Sequence, residues 1–499
     1  MDFLNNLATG FSVALTITNL LYCFLGVLLG TLVGVLPGIG PVTTVAMLLP
    51  FSFTLPPESA LIMLAGIYYG AQYGGSTTAI LVNIPGEASS VVTTIDGHKM
   101  ALAGRAGPAL GMAALGSFFA GCAATVLVAV AAPPLASIAL SFGPAEYFSL
   151  MVCGLVAAIV LARGSVIKAL GMVVLGLMFG LVGTDINSGV RRLTFDVRGL
   201  ADGIEFVALS MAIFGVADIA LNLEKGETKV QTQASIGKVW PGTTELLHCI
   251  PSVLRGTALG AVLGVLPGGG ALLAAFAAYT LEMKVARKPR HFGEGDIRGV
   301  AAPESANNAG AQTSFIPMLT LGIPSNPTMA MMIGAMMIHG ISPGPRVMTD
   351  RPGLFWGVIV SMWIGNLILV VLNLPLVGLW VKLLRVPYRL LFPSIVIFCC
   401  VGAYTVNSNV FDVYVIAFFA VFGYVCAKLD CEPAPLILGF VLGPMMEENL
   451  RRSLLLSRGD AMVFVHEPLS LIFLLAAAGL LLVVAMPSIR KTREEAMQE

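Results

Sequence analysis

The sequence predicts an all-α polytopic membrane protein of about 11–13 transmembrane helices, a two-fold internal repeat with broken or re-entrant helices. Three observations predict it: the composition, the spacing of the apolar runs, and a glycine–proline pattern that occurs twice. Of 499 residues, 57% are hydrophobic and 11% charged, with a mean hydropathy of +0.89. A water-soluble domain carries about 25% charged residues, so lipid is the solvent for most of this surface. The 28 basic and 28 acidic residues cancel, which leaves no basic face and excludes nucleic-acid partners. Cys23, Cys122, Cys153, Cys399 and Cys400 sit inside apolar runs and no CxxC occurs, so neither a disulfide nor a zinc framework is expected.

Runs long enough to span fall at about 12–35, 58–84, 107–133, 145–162, 166–184 and 203–222, then at 250–266, 302–323, 354–381, 391–427 (one span or two), 433–446 and 467–487. The start, MDFLNN, has no basic n-region and no cleavage site follows, so the first run is expected to be a permanent span. The longest polar interval, Asn222 to Glu245, lacks apolar periodicity and reads as a linker. It divides the chain into a first transmembrane repeat (1–223), a cytoplasmic linker (224–248), a second transmembrane repeat (249–488) and a cytoplasmic tail (489–499). Basic residues between Lys284 and Arg298 and in the tail place both segments on the cytoplasmic side.

The repeat is visible in the residues. GVLLGTLVGVLPGIG at 26–40 matches GTALGAVLGVLPGGG at 256–270 at constant offset. In the same order, Gly70-Ala71-Gln72 matches Gly310-Ala311-Gln312, Ile84-Pro85-Gly86 matches Ile323-Pro324-Ser325, and His98 matches His339. Asp185 and Asn187 followed by Arg191-Arg192 match Glu447 and Asn449 followed by Arg451-Arg452. One span after each arginine pair favours parallel copies; a re-entrant hairpin counted as a span would invert them.

Each part of the repeat needs its own chemistry. Gly26, Gly30 and Gly34, and Gly256, Gly260 and Gly264, each put three glycines on one helix face, which reads first as close helix packing. The breaks that follow, Pro37, Gly38 and Gly40 and then Pro267, Gly268 and Gly270, free backbone groups at membrane depth. A short helix restarting at Thr43 or Ala271 would aim its N-terminus at a cavity and hold a carboxylate there; a plain structural kink is the competing reading. A second pair of interruptions is richer in polar groups: Gln72, Ser76, Thr77, Asn83 and the Pro85-Gly86 break, then Glu304, Asn307, Asn308, Gln312, Ser314 and the Pro324-Ser325-Asn326 break. Such groups suit a polyoxygen anion or Na⁺, against the alternative of hydrogen bonds between helices. Glu304, with Gln72 and Gln312, is the candidate for ion coupling by H⁺ or Na⁺. Glu58 and Glu146 read as helix-start acids, and the arginine pairs as loop-edge ion pairs. No GxxxxGK[ST] and no HExxH occurs, so neither a P-loop ATPase nor a zinc peptidase is expected, and no enzyme chemistry is supported.

The stretches GVLPGIGP, YGGSTTAILVNIPGE, DGHKMALAGRAGPALG, PESANNAGA and LGIPSNPTMA resemble the large permease subunit of the bacterial tripartite tricarboxylate transporter family, along essentially the whole chain. The resemblance implies a multi-pass permease of the bacterial inner membrane. It further implies two partners: a small membrane subunit of about four spans, and a periplasmic solute-binding protein that delivers a carboxylate such as citrate. An ion gradient in place of ATP would drive uptake, with no cofactor beyond Na⁺ or H⁺. Its motifs point to Pro37, Gly38, Gly40, Ser76 to Asn83, Pro85, Gly86, Asn307, Asn308, Ser314, Pro324, Ser325 and Asn326 as site positions. Ile39 stands where the second copy has Gly269, and Gly86 where it has Ser325, so the halves need not contribute equally. An uncoupled anion channel or exporter, or a structural scaffold, is the alternative to gradient-driven import.

Overall fold

The computed structural model describes residues 2–36, 40–162, 165–185, 188–225, 237–266, 270–288, 290–383 and 388–485, and nearly all of its regular structure is helix. Strand pairing among the described residues is confined to Gly183–Thr184 against Arg191–Arg192. Among the described residues, six helices are long and apolar enough to cross a membrane: Ile17–Val35, Ala106–Ala139, Phe206–Glu224, Thr243–Leu263, Pro352–Asn373 and Val410–Lys428. Shorter apolar helices stand beside them. This is the expected all-α polytopic class. Large apolar side chains such as Ile17, Ile167, Val262 and Leu482 face outward, as a lipid solvent requires.

Several expected spans are divided by local caps. The run at 12–35 is two helices, Asp2–Ala14 and Ile17–Val35, because the Thr16 hydroxyl accepts the Asn19 N–H at 3.3 Å and starts a new helix. The run at 391–427 is likewise Tyr388–Asn407 and Val410–Lys428, with Asn409 capping the second. The run at 433–446 continues to Leu456. Glu447–Arg451 and Glu448–Arg452 pairs, four residues apart, carry its polar end, so these charges lie on a helix and not at a loop edge. Glu58 and Glu146 stand in first turns, as expected.

Ten helices frame the interior: α1 (Ile17–Val35), α2 (Pro41–Phe53), α3 (Pro57–Val82), α4 (Ala106–Ala139), α5 (Thr243–Leu263), α6 (Gly270–Val285), α7 (Arg298–Thr313), α8 (Pro327–Ile338), α9 (Pro352–Asn373) and α10 (Pro433–Leu456). The glycine ladders set the closest packing. Cβ atoms at Gly26, Gly30 and Gly34 of α1 would lie 2.3, 2.4 and 2.4 Å from the carbonyl oxygens of Met63, Ile67 and Ala71 on α3. Cβ atoms at Gly256 and Gly260 of α5 and at its C-cap Gly264 would lie 2.2, 2.2 and 2.3 Å from those of Ala302, Ala306 and Gly310 on α7. Both ladders therefore let backbone meet backbone, the packing role the spacing suggests.

The helices α3 and α7, matched by Gly70-Ala71-Gln72 and Gly310-Ala311-Gln312, face each other across the centre. Tyr68 packs on Phe315, just beyond α7, with ring centroids 6.3 Å apart, while Ser76 Oγ meets Glu304 at 2.5 Å. As the α3 number rises from 68 to 76, its partner's number falls from 315 to 304. Equivalent helices that cross antiparallel are related by an axis perpendicular to both, so this crossing favours the inverted one of the two arrangements the sequence left open. Between the two halves' central helices, the chain over 88–102 forms short helical turns that pack back on α3 and α7.

Candidate functional site

Both predicted breaks exist, one after α3 and one after the helix Phe315–Leu321 that follows α7, and each is set by a left-handed residue. Asn83 closes α3 with φ 58° and Gly322 closes Phe315–Leu321 with φ 70°. These are the αL caps that glycine and asparagine supply. Asn83 is exposed and its place is accounted for by this backbone role. Gly86 follows with its Cα against α1, where a Cβ would lie 1.9 Å from the Gly34 oxygen. Pro85 is half-buried beside it and Pro324 is buried.

Around these breaks the polar side chains of the two halves meet in two groups. In the first, Glu304 of α7 is fully buried and accepts from the hydroxyls of Ser76, at 2.5 Å, and Thr93. One turn on, Asn307 Nδ2 donates to Glu87 Oε1 at 3.2 Å. The Ser89 hydroxyl bonds both Glu87 and, at 2.9 Å, Gln72 Oε1 of α3. Asn308 Nδ2 donates to Ser117 Oγ of α4 at 2.7 Å and to the Glu304 carbonyl at 3.1 Å. Beside Ser76 lies a cavity of about 10 Å³, the room of roughly one water molecule, lined in part by Tyr73, Thr77, Ser117 and Asn373.

The second group is free of carboxylates. Asn326 Nδ2 donates to Tyr68 Oη at 3.1 Å and lies 3.2 Å from Ser314 Oγ, while its Oδ1 caps α8 by accepting Met329 N–H at 3.0 Å. Ser314 Oγ lies 2.7 Å from the Gly310 oxygen and 3.1 Å from the Gly264 oxygen, and Ser325 Oγ reaches the Ser314 oxygen at 3.4 Å. A Cβ on Gly270 would sit 3.7 Å from Ser314 Oγ and 3.9 Å from Asn326 Nδ2, so the start of α6 opens on this group. Gly40, at the start of α2, has nothing within 4 Å of its Cβ direction.

Other expected positions have different surroundings. Thr43 donates to the Phe214 oxygen at 2.6 Å, a carbonyl in the π-helical stretch Met211–Val216, and this bond ties α2 to the wall. Pro37, Gly38, Pro267 and Gly268 lie outside the described residues. Four buried amide atoms on α7, Asn307 Oδ1, Asn308 Oδ1 and both polar atoms of Gln312, have no hydrogen-bond partner. Buried polar atoms are ordinarily paired, so α7 carries an unusual reserve of open valences facing the centre. Sequence reasoning passed over Glu87, Ser89, Thr93, Tyr68 and Ser117. The one signal for Glu87 was an acid placed directly after the Pro85-Gly86 break.

Residues 20–438 match the family model of the tripartite tricarboxylate transporter TctA family. The chain belongs to that family. A relative from Agrobacterium vitis, described as an uncharacterized 52.8 kDa protein in the TAR-I ttuC′ 3′ region, is 57% identical over 499 residues, covering 100% of this chain and 99% of its own. A second from the same organism, described as an uncharacterized protein in the TAR-II ttuC′ 3′ region, is 57% identical over 240 residues, 48% of this chain and 99% of its own. No solved structure matches. Membership in a transporter family and the apolar helices together make this TctA-family chain a multi-pass membrane protein.

Proposed function

We propose that the chain is the large permease subunit of a tripartite importer in a bacterial inner membrane. It takes up citrate-like di- or tricarboxylates delivered by a periplasmic solute-binding protein, works beside a small membrane subunit of about four spans, and is driven by a Na⁺ or H⁺ gradient. The observation that carries this reading is the Tyr68, Ser314 and Asn326 group at the start of α6. It offers neutral donors and a helix N-terminus, drawn from both halves, and among the described residues no Lys or Arg is bonded to it. Such a site attracts a carboxylate through amide and backbone dipoles. It also lacks the fixed positive charge that would hold a polyanion equally tightly in both orientations of the transporter.

The test is reconstitution of the permease and small subunit in vesicles, with receptor loaded with labelled citrate outside. Label accumulates above equilibrium under an imposed Na⁺ or H⁺ gradient; uptake indifferent to collapse of the gradient would make the protein a channel. Asn326→Asp sharpens the test, because aspartate still caps α8 but places negative charge beside the anion. Uptake falls about tenfold or more, as expected for a lost charged hydrogen bond, while the folded yield is kept.

A further inference from the structure

Glu304 and Glu87 stand together without a positive partner. Glu304 is fully buried, and each of its oxygens takes a hydroxyl, Ser76 from α3 and Thr93 from the short helical turns. Glu87, partly buried at the break, takes the Ser89 hydroxyl and the Asn307 amide on one oxygen. Asn307 is one turn beyond Glu304 on α7, so the two carboxyl groups occupy successive turns of one wall. Among the described residues, no Lys, Arg or His comes within ion-pair distance of either.

The other ionisable groups nearby do not supply the charge. Tyr68 and Tyr73, from α3, are neutral phenols. On the segment 94–98, Asp96 is turned to the backbone N–H groups of Gly293, Gly295 and Asp296, and His98 Nδ1 to the Ile80 oxygen at 3.1 Å. Two ionised carboxylates buried with no counter-charge are unfavourable, so positive charge has to arrive from outside. A second observation points the same way. Asn307 is 1% exposed, its nitrogen bonds Glu87, and its Oδ1 has no donor; a buried oxygen left open beside a carboxylate is a ligand position for a hard cation or an acceptor for a carboxyl proton.

We propose that Glu87 and Glu304 hold one coupling cation, Na⁺ or H⁺, and that its arrival permits an anion to occupy the neighbouring Asn326–Ser314 group. The two places are joined through α3: Tyr68, in the anion group, is one turn from Gln72, whose Oε1 lies 2.9 Å from Ser89 Oγ. With the carboxyl pair ionised, an incoming polyanion is repelled. With the pair neutralised, that repulsion is gone, and by reciprocity the anion tightens the cation. This deepens, and rests on, the reading of the chain as a gradient-driven permease.

The experiment uses the purified full-length chain in nanodiscs without carboxylate, so that cation binding is read apart from transport. Radiolabelled Na⁺ binding is measured at neutral pH against choline, and protonated carboxyl is followed by infrared difference spectroscopy on pH titration in the absence of Na⁺. Saturable Na⁺ binding assigns the cation as Na⁺; a carboxyl protonation band without Na⁺ binding assigns it as H⁺. Glu304→Gln and Glu87→Gln, which keep shape, each lower the Na⁺ affinity about 10- to 100-fold or remove the band, and Thr93→Val, which removes one hydroxyl from Glu304, weakens the same signal if either glutamine variant fails to fold. Variants that bind Na⁺ and titrate as the parent does, or a parent that shows neither signal, overturn the site. Undiminished gradient-driven uptake in both glutamine variants would also sink the site and leave the permease reading standing, whereas gradient-independent uptake by the parent would sink that reading instead.

Discussion

Arg451 Nη2 lies 3.1 Å from Asp185 Oδ2 and 2.6 Å from Glu447 Oε1, so one guanidinium of the second half clasps the two acids that the repeat sets in corresponding places. Arg192, from the first half, completes the figure at 2.8 Å from Glu447 and 3.6 Å from Asp185. The four charges join the strand pair at 183–192 to α10 and neutralise one another where the two halves of the repeat meet.

A double-mutant cycle tests that clasp. Asp185 is buried, while the arginines are about one-third exposed, so screening keeps the interaction modest. The variants Asp185→Asn and Arg451→Gln, singly and together, should show less-than-additive losses of melting temperature in the detergent-solubilised protein. Additive losses would mean that the two side chains are neighbours without mutual support.

Gly86→Ala should abolish folded protein. Its Cβ would lie 1.9 Å from the Gly34 oxygen and 2.7 Å from the Gly75 Cα, and neither backbone can yield without parting α1 from α3. Overpacking of even one methyl group costs about 1–3 kcal/mol where side chains can adjust, and here the obstacle is main chain. Gly40→Ala, whose Cβ meets nothing within 4 Å, should be recovered at parental yield. The comparison is made by size-exclusion profiles of fluorescently tagged variants, and a normal profile for Gly86→Ala would refute the tight packing of the break on α1.

What the sequence disclosed follows from how local each feature is. The glycine ladders were legible because their cause, a helix face without side chains, repeats every four residues, and the structure sets each glycine on a carbonyl of the neighbouring helix. Glu304 stood out as an acid inside an apolar run. Glu87 did not, because an acid followed by Ser89 and Ser90 reads as a turn; it does take part in a capping arrangement with Ser90. Thr43 resembled a ligand donor because its partner, the Phe214 oxygen, is 171 residues away. The relation of the halves was left open because a re-entrant hairpin and a span have the same apolar pattern; it is the antiparallel meeting of α3 and α7, Ser76 with Glu304 and Tyr68 with Phe315, that favours the inverted arrangement.

Acid should weaken the joint between α6 and α7, with Asp296 as the sensor. Burial pushes its carboxyl up. The Arg298 guanidinium at 2.6 and 2.9 Å, the Arg298 N–H at 3.0 Å and the His291 N–H at 3.3 Å outweigh that and hold it below its ordinary range. A carboxyl whose folded value lies below its unfolded value, about 3.9, contributes its full stability above that pH and loses it as pH falls through the folded value. The neighbouring Asp96 makes the joint matter, since it accepts the backbone N–H groups of Gly293, Gly295 and Asp296 at 2.8, 2.8 and 3.0 Å and the Tyr279 hydroxyl at 2.8 Å. Asp296→Asn should lower stability at neutral pH, because it removes the carboxylate that two nitrogens of the buried Arg298 guanidinium bond. It should also make the variant's melting temperature less sensitive than the parent's as pH falls below about 4. Parallel melting curves for parent and variant across that window would show that Asp296 does not carry the acid response.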